Sequence, residues 1–167
     1  MTRWTMAAAA AILTWMSGAL AQAPRFEFPA DTSFIFSRSN GESLLHQCSR
    51  KTPGAFTDFW EPSPADIGNL EKHLAAYLAS LEKAGAARPP FGSYNRQYIG
   101  VLIRDKRLIY GNYYPTGLHR VWEKGLAAVI CDGGPSFWGI LFNPQTNEFT
   151  DLEFNEAGVR GVESGHE

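Results

Sequence analysis

The chain has 167 residues, 44% of them hydrophobic, and 15 Lys and Arg stand against 17 Asp and Glu. That length suits one domain with a sizeable core. The weak, mixed charge excludes the clustered basic stripe that nucleic acid requires and the polybasic segments that hold a protein on an anionic membrane.

Residues 1–21 read as an export leader. Arg3 supplies a positive start, Ala7 to Met16 form a short apolar stretch, and Ala19-Leu20-Ala21 fits the small-x-small pattern of a cleavage site. The stretch is shorter than the roughly 20 apolar residues that a membrane-spanning helix needs, and no second apolar run follows it. A cut after Ala23 would place Pro24 at the new terminus, so the mature chain is expected to begin at Gln22, which offers no lipid-anchor cysteine. Residues 22–167 are then expected to form a single globular domain. Losing Arg3 leaves 14 basic against 17 acidic residues, a formal net charge of −3. Cys48 and Cys131 both survive the cut. An even count in an oxidising compartment predicts one intramolecular bridge. It closes a loop of 83 residues, worth about 4.5 kcal/mol on a chain-entropy argument.

After the cut, Phe26, Phe28, Phe34 and Phe36 follow a period of two, and Ser33 to Ser37 reads as a short edge strand. Leu44 to Cys48 is a second short apolar piece, and Lys51 to Gly54 is a turn. Ser63 to Lys83 is the clearest element. Ser63 is the cap, Pro64 fits the first helical position, and Asp66 completes a variant capping box. Ile67, Leu70, Leu74, Leu78 and Leu81 make one apolar stripe, read as a core face. Gly85 and Pro89-Pro90 end the helix.

From Phe91 onward the pattern predicts antiparallel sheet. Tyr94 to Arg104 and Leu108 to Tyr114 form a hairpin across Asp105-Lys106-Arg107. Leu126 to Cys131, a continuous apolar run, is expected as a buried central strand. Asp132 to Pro135 is a turn. Phe137 to Phe142 and Phe149 to Phe154 are the last strands. One helix followed by about five strands implies an α+β fold with the helix packed on an antiparallel sheet, cystatin-like by analogy.

The stretch Cys131-Asp132-Gly133-Gly134-Pro135-Ser136-Phe137-Trp138-Gly139 continues through Ile140 to Pro144 and Phe149 to Asn155. Together with Arg96-Gln97-Tyr98-Ile99-Gly100, it resembles the C-terminal signature of a group of small exported bacterial proteins with no assigned activity. The resemblance implies a secreted domain with Cys131 bridged, and it carries over no catalytic residue.

Catalytic readings are weak throughout. A Cys131 nucleophile would sit beside Asp132, whose charge raises a thiol pKa. His46, His73, His119 and His166 lack the short spacing of a zinc pair. His46 would share a strand face with Cys48. Asp151 and Glu153 would share a strand face, as paired carboxylates or as an ordinary solvated face. Asp-Gly-Gly after an apolar run is a turn before it is an anion or metal cradle. No cofactor is implied.

The aromatic surplus is the strongest functional signal. It comprises Trp60, Phe91, Tyr94, Tyr98, Tyr110, Tyr113, Tyr114, Trp122 and Trp138. Tyr94 with Tyr98, and Tyr110 with Tyr114, could build one face across the hairpin, either as core or as a recognition platform. The expected contact residues are Tyr98, Tyr110, Tyr113, Tyr114 and Trp138, beside the Pro115–His119 loop. The function expected is therefore a non-enzymatic periplasmic or secreted binding protein of inhibitor or immunity type. Its partner would be another envelope or extracellular protein or a cell-wall component. The alternatives are a small envelope hydrolase using Cys131 or Asp132, Asp151 and Glu153, and a purely structural envelope component.

Overall fold

The computed structural model describes residues 31–90, 92–118 and 125–157. In chain order these form β1 (Ser33–Ile35), α1 (Glu42–Leu45), β2 (Phe56–Trp60), α2 (Pro64–Lys83), β3 (Tyr94–Ile103), β4 (Lys106–Pro115), β5 (Trp138–Asn143) and β6 (Glu148–Phe154). The expected leader and cleavage site, His119, Trp122 and His166 lie outside the described residues.

The class is α+β: one long helix and a mostly antiparallel sheet in the order β1-β3-β4-β5-β6. One edge of β3 is shared. Its first half pairs in parallel with β1, Ser33 opposite Arg96, and its second half pairs antiparallel with β2, Trp60 opposite Gly100. The sheet is therefore mixed. The β3–β4 hairpin turns at Arg104-Asp105, both at positive φ, one residue earlier than the polar Asp105-Lys106-Arg107 suggests. Among the described residues, no helix is long and apolar enough to cross a membrane.

The capping box on α2 forms as the sequence predicts. Asp66 N–H donates to Ser63 Oγ at 3.2 Å, and Ser63 N–H donates to Asp66 Oδ2 at 2.8 Å. Ile67, Leu70 and Leu74 are buried against Tyr98, Ile109, Tyr113, Trp138, Ile140 and Phe142, with Leu78 packed at the margin. Each such buried Leu or Ile contributes about 1.5–3 kcal/mol. The opposite sheet face carries a second core, in which Phe36, Leu44 and Leu45 pack on Ile99, Val101, Tyr110 and Leu141. A short helix, α1, stands where the Leu44–Cys48 piece was expected, and its two leucines are what it buries.

Residues 125–131 correct the expectation of a central strand. They form an irregular strap outside any strand, with Leu126 exposed, and β4 pairs directly with β5. The strap's backbone bonds to buried amide side chains in place of a ladder. Gln97 Nε2 donates to Leu126 O at 2.6 Å, Ala128 N–H donates to Gln97 Oε1 at 2.8 Å, and Asn112 Nδ2 donates to Ala128 O at 3.1 Å. Asn155 Nδ2 donates to Ile130 O at 2.5 Å. Cys131, at the strap's end, is disulfide-bonded to Cys48, as the cysteine count predicts.

Candidate functional site

Side chains alternate across β3, so Tyr94, Arg96 and Tyr98 share the face covered by α2. Register places Tyr113 of β4 opposite Arg96, and Trp138 of β5 opposite Tyr113. The three form a row across the sheet beneath the second half of α2. The Tyr113 and Trp138 rings stack at 3.8 Å, and Tyr94 meets the Trp138 ring edge-on at 5.6 Å.

Glu71 comes down from α2 into this row. Its carboxylate Oε1 accepts from Tyr98 Oη at 2.6 Å and from Tyr113 Oη at 2.8 Å. Arg96 Nε lies 3.2 Å from Oε2 as an ion pair lacking hydrogen-bond alignment. Arg96 is anchored by Nη1, which donates to Tyr94 O and Thr32 Oγ1. Burial first, and then the Glu71 charge, hold the Tyr98 and Tyr113 hydroxyls well above their ordinary pKa. Both stay protonated and remain donors to Glu71.

Above this row lies an open cleft of about 330 Å³. Leu74, Ala75, Leu78 and Ala79 of α2 form one wall, and Pro89-Pro90 forms a lip. The lip is fixed by Tyr94 Oη, which donates to Pro90 O at 2.8 Å. Glu82 and Arg88 sit at the rim as an ion pair at 3.4 Å. Trp138 lines the floor at 1% exposure, and its buried Nε1–H interacts with the Tyr94 hydroxyl. Among the described lining residues there is no Ser, Cys or His, and the Glu71 carboxylate is engaged by two hydroxyl donors and the Arg96 charge. The arrangement is apolar walls over a fixed polar floor, which is binding geometry.

The five aromatic residues expected as a contact face are buried: Tyr98, Tyr110, Tyr113 and Trp138 at 0–1% exposure and Tyr114 at 7%. They also do not share one face. Ile99 stands opposite Tyr110 and Tyr98 opposite Gly111, so Tyr110 and Tyr114 point to the second core, away from Tyr94, Tyr98 and Tyr113. Ring faces serve as core, and only Tyr113 and Trp138 reach a cleft surface. Of the adjacent loop, Pro115 belongs to β4 and Thr116–Leu118 form a 3-10 turn.

The other candidate residues are dispersed. Cys131 is bridged and has no thiol. Asp132 is an exposed turn residue at positive φ. Asp151 occupies a bulge in β6 and lines, with Glu153, Lys51 and Arg104, a second hollow of about 430 Å³. His46 is exposed outside any strand, 3.7 Å from Glu42. His73 is held on α2 by the Asn69 carbonyl. Sequence reasoning missed Glu71 and Arg96. A charged residue beside the apolar stripe of α2 and an arginine within an aromatic strand were the only signals.

No family model, curated protein or solved structure matches this chain.

Proposed function

We propose that the protein is an exported, non-enzymatic binding protein of inhibitor or immunity type that recognises another envelope or extracellular macromolecule. The cleft between α2 and the sheet is its recognition site. The observation that carries this reading is the solvent-open apolar cleft between α2 and the sheet, floored by Tyr113 and Trp138. Such a pocket, apolar with a few placed polar groups, is the form binding sites take. The bridge between Cys48 and Cys131 supports an oxidising compartment, as does the resemblance of the Cys131–Gly139 stretch to small exported bacterial proteins. The same bridge removes the Cys131 nucleophile, one of the two routes open to the hydrolase reading.

Two measurements test the reading. N-terminal sequencing of protein recovered from the cell envelope or medium should begin at Gln22; a retained Met1 would overturn export. Gel filtration of the purified protein with envelope and culture-supernatant fractions should yield a saturable one-to-one complex with a single component. No complex in either fraction would overturn recognition.

A further inference from the structure

We propose that the second hollow, on the sheet face away from α2, binds a free zwitterionic peptide about three residues long. The site is separate from the cleft and needs no macromolecular partner. It measures about 430 Å³. Ile103, Leu108 and Leu141 form its floor, and all three belong to the second core or pack on it. The loop of residues 51–54 forms the facing wall.

Two observations select this ligand. The first is that the sheet order separates opposite charges. Arg104 follows β3, Asp151 and Glu153 belong to β6, and β4 and β5 lie between them. Three interstrand steps of about 4.8 Å put about 14 Å between the two backbones. Among the described residues, neither Arg104 nor Glu153 is in an ion pair. Asp151 accepts from the neighbouring Thr150 hydroxyl, and Glu153 acts at range on the buried Tyr110 hydroxyl. Lys51 lines the hollow from the loop and balances the second carboxylate, so the site as a whole is neutral. A peptide with both termini charged and an apolar middle matches a cation at one end, carboxylates at the other and leucines between. A single amino acid, whose charges lie under about 3 Å apart, cannot reach both ends. An extended tripeptide of about 10 Å can, with the arginine and glutamate side chains closing the rest.

The second observation is that these charges stand where the backbone asks for other residues. Ile103 pairs with Lys106, so Arg104 and Asp105 make a two-residue hairpin turn, both at positive φ. Such turns favour Asn and Gly, and an arginine there is strained. Asp151, at φ 51°, fills the bulge position that glycine fills most easily. Two strained positions thus carry opposite charges into one hollow. Strain of this kind collects at ligand sites.

The test is an NMR titration of the disulfide-bonded protein with the peptide Ala-Leu-Ala, read at the Leu108 and Leu141 methyl groups. Both should shift saturably, at about millimolar affinity. Acetylating the amine or amidating the carboxylate should each weaken binding about threefold to fivefold, the worth of one exposed charge pair. Arg104→Asn suits the turn, so it should raise the melting temperature slightly while erasing the difference between acid and amide peptides. Glu153→Gln should erase the difference between free and acetylated amine with the melting temperature unchanged. No saturable shift with Ala-Leu-Ala overturns the proposal. Equal binding of the doubly blocked peptide also overturns it and leaves only an apolar contact. Free leucine binding as tightly as the tripeptide overturns it in favour of a single amino acid. An amide difference that survives Arg104→Asn places the carboxylate elsewhere and overturns it as well.

Discussion

Replacing Glu71 by alanine isolates the group that organises the cleft floor. The side chain is 7% exposed and accepts from two buried hydroxyls, Tyr98 Oη and Tyr113 Oη. Its loss leaves both without their acceptor, at about 1–3 kcal/mol each. Arg96 also loses its counter-ion. At 24% side-chain exposure that charge is partly hydrated, so its share is about 1 kcal/mol rather than the roughly 3–5 of a fully buried pair. Water entering from the cleft moves the hydroxyl costs toward their lower end, and the sum is about 4 kcal/mol. Glu71→Gln keeps an oxygen for the two tyrosines and should cost about 1–2 kcal/mol, mainly the lost charge. Urea unfolding reads both, and the alanine variant's midpoint should fall by about 2 M for a slope near 2 kcal/mol/M. A cycle with Tyr98→Phe should show the hydroxyl deletion becoming nearly neutral once Glu71 is gone. Glu71→Ala within about 0.5 kcal/mol of wild type would refute the reasoning, because the carboxylate would then not be the acceptor the tyrosines depend on.

Three further outcomes follow from other parts of the fold. Asn112→Leu removes the donor that holds Ala128 O and Gln97 Oε1 and the acceptor of Arg50 Nη2. It should cost about 3 kcal/mol, and limited proteolysis should then cut near the exposed Leu126; an uncut strap would count against the amide anchors. Cys48→Ser/Cys131→Ser should lower stability by up to about 4.5 kcal/mol for the 83-residue separation, read as a fall in urea midpoint, and the native oxidised protein should titrate no thiol. The burial-raised pKa values of Tyr98 and Tyr113 predict alkaline sensitivity. Below pH 10 both hydroxyls are neutral folded or unfolded; above it only the unfolded chain ionises, so stability falls as pH rises through that range. Absorbance at 295 nm should rise for these residues only as circular dichroism is lost, and ordinary tyrosine titration with the fold intact would contradict their burial.

The helix was legible almost to the residue because its signals are local: Ser63 and Asp66 bond to each other, Pro64 fits the first turn, and the stripe from Ile67 to Leu78 needs only one covering face. The hairpin and the last two strands were legible for the same reason. What failed required knowledge of a distant partner. Phe56–Trp60 was passed over because Phe56, Phe59 and Trp60 are spread among polar residues, and its strand exists by pairing with the second half of β3. The apolar run before Cys131 looked like a central strand, but β4 and β5 had already taken each other's edges. The expected aromatic face depended on hairpin register, and a turn at Arg104-Asp105 sets Tyr98 opposite Gly111 rather than opposite a tyrosine.

The same polar residues that broke the apolar patterns are the ones that give the sheet its two different faces. Gln97 and Asn112 are buried on one side, where their amides substitute for a missing strand and hold the strap. Arg50 extends that network, donating to Tyr110 Oη, Asn112 Oδ1 and Asn155 Oδ1. There the amide network is satisfied by its own members and holds the strap in place. On the other side Arg96 and Glu71 neutralise each other beneath a cleft that α2 leaves open, and Trp138 is stacked in place on Tyr113. The tyrosines that first suggested a recognition platform hold the sheet together instead, Tyr98 and Tyr113 through Glu71 and Tyr110 through Arg50.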